Sequence, residues 1–346
     1  MQSRRLPVIS VIAAVVLSAV VACQSGDDSA ADDASEPTPT QSEGSQSDGS
    51  RAVGEDAWSV LADAPLGLTE IGAAAFGGEL WTIGGLTDAA EVTTVVQVFD
   101  PELNEWRSGP DLPEPVHHAS LVATDTQLVV VGGYRTLAFD PVTDVFVLDA
   151  EHGVWIEAPS LPEPRGAGAA AWDGERLVYA GGLGERGLAD NVWALDDLDG
   201  GEWTEIARLS IARDHLAATS DGNGTVWFLG GREGTLETNL AVVDRLVDDD
   251  LAPTTEVPTA RGGVAAFFSD EHGACLVGGE GPEGTFAEVE CVGTDETTTS
   301  LPRLSTARHG LGAAIIEGVA YVALGGTEPG LSVSGTIEAL HVAKIT

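Results

Sequence analysis

Basic residues are scarce in this chain. Against 55 Asp and Glu there are 16 Lys and Arg, Lys344 is the single lysine, and the formal net charge is -39. Nucleic acid is excluded as a partner, because phosphate contacts supply most of that affinity and this surface repels the backbone. The same charge keeps a protein soluble and favours a monomer. Tyrosine and cysteine are also rare, with three of each. Tyr179 and Tyr321 lie inside apolar runs, which leaves Tyr134 as the only candidate tyrosine nucleophile. The seven histidines show no H-x₃-H or similar ligand spacing. "DDD" at 248–250 and "DGNGT" at 221–225 lack the rest of a calcium loop and read as solvated turns. Neither a metal nor a cofactor is expected.

Long apolar runs are absent after residue 22. The one before it, "LPVISVIAAVVLSAVVA", follows Arg4 and Arg5 and ends at Cys23. It is too short for a comfortable membrane span and reads as an export signal. Val20-Val21-Ala22-Cys23 resembles the lipobox of bacterial lipoproteins. The resemblance implies cleavage after residue 22, acylation of Cys23, and residence on the extracytoplasmic side of a bacterial cell membrane, held by lipid alone. An ordinary secretory signal is the alternative. Residues 23–54 then form an acidic linker with no aromatic residue, too polar to order itself. As a coil its ~30 residues would span ~30 Å.

Glycine, by contrast, is abundant at 43 residues, and its placement is periodic. "LWTIGG", "LVVVGG", "LVYAGG", "VWFLGG", "CLVGG" and "YVALGG" put their first glycines at 84, 132, 181, 230, 278 and 325, steps of 48, 49, 49, 48 and 47. A period this regular marks an array of supersecondary units. Each unit holds a small-residue strand, a turn such as Asp173-Gly174, the strand before the glycines, a third strand such as "VVQVFD", and a tryptophan. Four strands in about 48 residues make one propeller blade.

The glycine pair, Phe99-Asp100-Pro101 and Trp106 resemble the kelch repeat, with six copies over residues 55–346. The fold expected is therefore all-β, a six-bladed kelch-type β-propeller. Trp58 precedes the first glycine pair, so "DAWSVLADAPL" reads as a fourth strand that pairs beside "TIEALHV" and closes the last blade. Tryptophans 58, 106, 155 and 203 repeat, whereas Leu251 and Thr298 replace them in two units, where a looser outer strand is expected. Cys275 and Cys291 fall on the second and third strands of the fifth blade, equidistant from the loop near Glu283. An exported protein would join them as a disulfide in preference to keeping two buried thiols.

The few arginines are not scattered. Arg165, Arg213, Arg261 and Arg308 stand 16 or 17 residues before a glycine pair, in "LPEPR", "LSIAR", "VPTAR" and "LSTAR", while Leu68 and Val116 hold that place in the first two units. The position begins the innermost strand, so propeller geometry places the four at one mouth of the central channel. Loops between strands two and three bring Tyr134, Glu185, Arg232 and Glu280 to the same mouth, and the neighbours of the arginines add His117, His118, Asp214, His215 and His309. Kelch propellers commonly bind partners through this face. The resemblance implies a binding module for an anionic small molecule, a glycan or a protein. The four guanidinium groups either hold that anion or are neutralised by loop glutamates as blade-to-blade bridges.

An enzyme on anionic sugars, similar to kelch-type sialic acid mutarotases or to sialidases, is the competing class. "TSDGNGTVW" departs from the sialidase turn spacing, and no single glutamate stands out as a general acid. A copper oxidase of the galactose-oxidase type would need a cysteine-linked tyrosine, and the cysteines are otherwise assigned.

The lipobox reading predicts that the protein partitions into detergent and takes up labelled fatty acid, and that Cys23→Ser is left unprocessed or released. Wild type and variant appearing as the same soluble secreted species would refute it.

Overall fold

The computed structural model describes residues 53–54 and 56–343. The expected signal segment, Cys23 and the linker as far as residue 52 lie outside the described residues. Six four-stranded antiparallel sheets follow one another along the chain. Blade 1 comprises Gly72–Phe76, Glu79–Ile83, Val96–Asp100 and Glu105–Ser108. Blade 2 comprises Ser120–Ala123, Leu128–Val131, Val145–Asp149 and Val154–Glu157. Blade 3 comprises Ala169–Trp172, Leu177–Ala180, Asn191–Leu195 and Thr204–Arg208. Blade 4 comprises Ala217–Ser220, Thr225–Leu229, Val242–Val247 and Asp250–Glu256. Blade 5 comprises Ala265–Ser269, Gly273–Val277, Val289–Val292 and Thr298–Leu301. Blade 6 comprises Gly312–Ile316, Val319–Ala323 and Ile337–His341, and its outer strand is Ser59–Val60 from the other end of the propeller.

That shared blade closes the ring as the sequence predicts, with Ser59 opposite Ala339 and Val60 opposite Glu338. The seam starts one residue before the expected boundary, because the His341 N–H donates to the Gly54 carbonyl. The repeating tryptophans seal neighbouring blades. The indole N–H of Trp106 reaches the Ala62 carbonyl at 2.7 Å, and those of Trp155, Trp203 and Trp58 reach the Pro110, Pro159 and Pro302 carbonyls at 2.8 Å. Blades 4 and 5 lack this bond, yet their outer strands are fully paired, so the expected loosening is not found. Cys275 and Cys291 oppose each other across blade 5 and are joined by a disulfide.

Inner strands such as "GAAAF" and "AAAW" need small residues, because six of them converge on the axis. Their alanines and glycines line a channel cavity of about 130 Å³. Around its rim runs a closed belt of backbone hydrogen bonds. The N–H groups of Gly85, Gly133, Gly182, Gly231, Gly279 and Gly325 donate to the carbonyls of Val116, Arg165, Arg213, Arg261, Arg308 and Leu68, each on the next blade. These glycines have φ between 87° and 115°, open to glycine and closed to most side chains. The belt also corrects the alignment of the last repeat. Leu324, with φ of 61°, and Gly325 are the structural pair, and Gly326 lies one residue beyond.

The belt carbonyl fixes where each arginine side chain goes, and it corrects the expected arginine-lined mouth. Arg213, Arg261 and Arg308 are fully buried inside their own blades. Each is paired with a carboxylate on its third strand, Asp244 at 2.8 Å, Glu290, and Glu338 at 2.7 Å. Backbone carbonyls take further donors, as with Arg213 to Gly230 at 2.9 Å and Phe228 at 3.2 Å. The residues just before each arginine complete the carboxylate. N–H groups of Ser210, Thr259, Ser305 and Thr306 donate to Asp244, Glu290 and Glu338. The partners are therefore third-strand acids, not loop glutamates, and no ligand reaches these three guanidinium groups. Where the arginine is absent the partner changes with it. Leu68 is matched by Gln97, whose amide bonds both backbone groups of Leu66, and Val116 by Phe146.

Removing one member of a buried pair strands the other. Arg213→Leu is expected to cost about 3–5 kcal/mol in denaturant unfolding, and the double variant Arg213→Leu/Asp244→Leu to recover most of it. A single variant as stable as the wild type would show that the pair carries no stability.

Candidate functional site at the channel mouth

Two residues beyond each belt carbonyl the chain turns toward the axis. Glu70, His118, Ala167, His215, Gly263 and Gly310 occupy this place, and all six have φ between 52° and 66°. A second ring of backbone bonds links them, for example His118 N–H to Glu70 O at 2.9 Å and Gly310 N–H to Gly263 O at 2.9 Å. Left-handed backbone at four non-glycine or crowded positions is sustained by the surrounding ring. It aims the side chains at the channel.

Those side chains meet in a closed circuit of ionisable groups drawn from five blades. Glu70 Oε2 lies 3.0 Å from His118 Nε2, which lies 3.1 Å from His215 Nε2. His215 Nδ1 is 3.3 Å from Asp214, and Asp214 is 4.0 Å from Arg232. Arg232 donates to Glu280 at 2.8 Å, Glu280 is 3.7 Å from His309 Nδ1, and His309 Nδ1 is 3.2 Å from Glu70 Oε1. Every side chain in the circuit is between 1% and 12% exposed. His117 adjoins it, with Nδ1 2.7 Å from His118 Nδ1 and Nε2 bonded to the Thr136 carbonyl. Tyr134 packs against both rings of that pair.

Burial and neighbouring charge push the members apart. Burial by itself would raise the Glu70 carboxyl, but His118 and the contact from His309 hold it well below its ordinary range. Burial would lower His309, and the Glu70 carboxylate outweighs it and raises the ring above its usual value. The two form an ion pair. Burial drives His118 well below the ordinary imidazole range, against the pull of the Glu70 carboxylate, and lowers His117. Burial also raises the Tyr134 hydroxyl, which keeps it protonated and unsuited to act as a nucleophile. Of the circuit, Glu70, Glu280 and His309 are near enough to one another to hold a metal ion.

Of the residues expected at the mouth, the structure brings together His117, His309, Tyr134, Arg232 and Glu280, with His118, Asp214 and His215 beside them. Arg213, Arg261 and Arg308 are withdrawn into the blades. Glu185 is exposed on the turn joining Leu183–Gly184 to Gly187–Leu188, away from the circuit. Glu70 escaped notice because its unit has Leu68 at the arginine position. Counting two residues on from Leu68 in register with the other repeats would have found it.

Arg165 behaves differently from its three counterparts. Blade 3 places Trp193 where the others place an acid, and the guanidinium lies 5.0 Å over that ring. It turns outward to Glu163 at 2.8 Å, which also pairs with Arg186 at 2.8 Å. Arg165, Arg186 and Arg208 thus share one open cleft of about 500 Å³ with Trp193 in its wall.

The six closed blades define a β-propeller, and its repeats are similar to those of kelch proteins. Residues 68–113 and 115–162 match the Kelch motif. Over 318 residues, 81% of this chain, the sequence is 25% identical to the Kelch-like protein terF of Aspergillus terreus and covers 67% of it. It is 26% identical over 197 residues, 57% of this chain, to Kelch-like protein 38 of Homo sapiens, and spans 32% of that protein's length. Among solved structures the fold is similar to that of YjhT, with a TM-score of 0.66 and 14% identity over 80% of this chain and 96% of the other.

The rim geometry yields a direct check. A Cβ on Gly310 would lie 2.7 Å from the Glu70 backbone nitrogen and 2.6 Å from Thr69 Oγ1, whereas one on Gly77 would meet nothing within 4 Å. Both have left-handed φ. Gly77→Ala should therefore cost about 1 kcal/mol, and Gly310→Ala clearly more, measured by thermal unfolding. Equal losses would mean that the rim is pliable.

Proposed function

We propose that the protein is an exported, lipid-anchored binding module that takes an acidic group of a glycan, small molecule or partner protein in the blade 3 cleft beside the channel mouth. One observation carries the reading. Of the four repeat arginines, Arg165 is the one whose blade supplies no buried acid; the side chain is itself buried, and its guanidinium pairs at the edge of the cleft with the partly exposed Glu163. Glu163, gripped by Arg165 and Arg186, occupies the place that a ligand carboxylate would take with the same two-arginine geometry. Trp193 is buried behind Arg165 and backs its guanidinium from the inner wall of the cleft. The Cys275–Cys291 disulfide supports an oxidising compartment, and the acidic linker would hold the propeller clear of the membrane.

The test is titration of the delipidated protein with sialic acid, glucuronate, inorganic phosphate and an acidic peptide. Arg165→Ala and Arg186→Ala should each weaken binding about tenfold or more, while Glu185→Gln leaves it unchanged. Moderate salt should speed association, because it screens the long-range repulsion of an acidic chain over ~10 Å at 0.1 M. Unchanged binding in Arg165→Ala, or no binding of any probe, would reject the cleft.

An enzyme acting on anionic sugars is the second reading. What favours it is the Glu70 carboxyl group 3.0 Å from the His118 ring at the mouth, a pairing suited to acid–base work. Anomer exchange of sialic acid that Glu70→Gln abolishes would select it; binding without turnover selects the module.

A further inference from the structure

The circuit at the mouth contains a group of side chains that partner binding does not use. We infer that Glu70, Glu280 and His309 form a binding site for a divalent transition metal of the zinc class. One donor atom from each lies within 4.8 Å of the others. His309 Nδ1 is 3.2 Å from Glu70 Oε1 and 3.7 Å from Glu280 Oε2. A metal about 2.0–2.2 Å from each donor needs donors about 3.0–3.6 Å apart, so small side-chain adjustments suffice.

The orientation of His309 is the independent observation. Its Nε2 lies 3.0 Å from the Glu328 carbonyl and donates there, which directs Nδ1 at the two carboxylates. Nδ1 is buried and has no partner in hydrogen-bond geometry. A histidine whose second nitrogen is tied to a backbone carbonyl, with the first facing carboxylate oxygens, has the arrangement that orients metal-binding imidazoles. The carboxylates are held in the same manner. Arg232 anchors Glu280 Oε1 at 2.8 Å, and the Gly330 N–H reaches Oε2 at 3.1 Å. Glu70 turns its other oxygen to His118.

The three ligands come from three blades. Each is fixed by ring backbone: Glu70 by its left-handed turn, Glu280 by pairing of its strand segment with Gly262, and His309 by pairing with Gly326. Two oxygens and one imidazole nitrogen suit Zn²⁺, Co²⁺, Ni²⁺, Mn²⁺ or Fe²⁺ better than Mg²⁺ or Ca²⁺, and Zn²⁺ binds such a set more tightly than Mn²⁺ or Fe²⁺. Glu70 lines the channel cavity, from which water would complete the coordination shell.

The experiment is Zn²⁺ titration of chelator-stripped protein in excess Mg²⁺, which occupies the many surface acids, read by calorimetry and by melting temperature. One equivalent should bind with a rise in Tm, and Co²⁺ should give a visible absorption band from the same site. His309→Ala, and separately Glu280→Gln, should weaken this phase at least about tenfold while both proteins still melt cooperatively. No saturable phase in the wild type overturns the site. So does a phase of undiminished affinity in whichever of the two variants folds. Neither outcome bears on the blade 3 cleft, which shares no residue with it.

Discussion

Everything at the functional face depends on a single hydrogen bond repeated six times, from a left-handed glycine N–H to a carbonyl on the next blade. Because that carbonyl must face the preceding blade, its own side chain is sent into the body of the sheet behind it. Two residues later the chain must reverse toward the axis, which it does through left-handed backbone. One backbone requirement therefore yields two populations of side chains, one packed inside blades and one gathered around the channel.

The inward population shows how a repeat tolerates charge in its core. A buried arginine is stable only with a matched acceptor set, and the chain supplies that set wherever the arginine occurs: a carboxylate on the third strand, backbone carbonyls of the second, and the N–H groups of the preceding turn. Where leucine or valine stands instead, the third strand carries glutamine or phenylalanine. Arg165 with Trp193 is the exception. There a tryptophan face takes the place of the acid, and the arginine, still buried, reaches a partly exposed glutamate at the edge of the cleft.

Architecture was legible from the sequence because it is written at a period: blade number, ring closure by the segment around Trp58, and the pairing of Cys275 with Cys291 all follow from spacing. The arginines were harder. Their shared position was visible, but side-chain direction depends on which way a carbonyl points, and that is set by a neighbouring blade. The partner acids lie 29 to 31 residues later behind loops of different length, which blurs their alignment. Glu70 was illegible for the converse reason, since Leu68 stands at the arginine position of its repeat and nothing there marks the residue two places on. The last glycine pair misled by one residue, because Leu324 adopts a backbone conformation that the sequence associates with glycine.

The strand that closes the ring raises a question of timing. Ser59 and Val60 are synthesised before any blade, yet their partners Glu338 and Ala339 come near the end of the chain. Until those arrive, five complete blades and two strands of the sixth form an open arc whose first segment waits unpaired. A long apolar segment in that situation would invite pairing with another chain. The two-residue strand, flanked by Asp56 and Asp63, offers little to pair with, and so the molecule keeps its two ends apart from strangers until they can find each other.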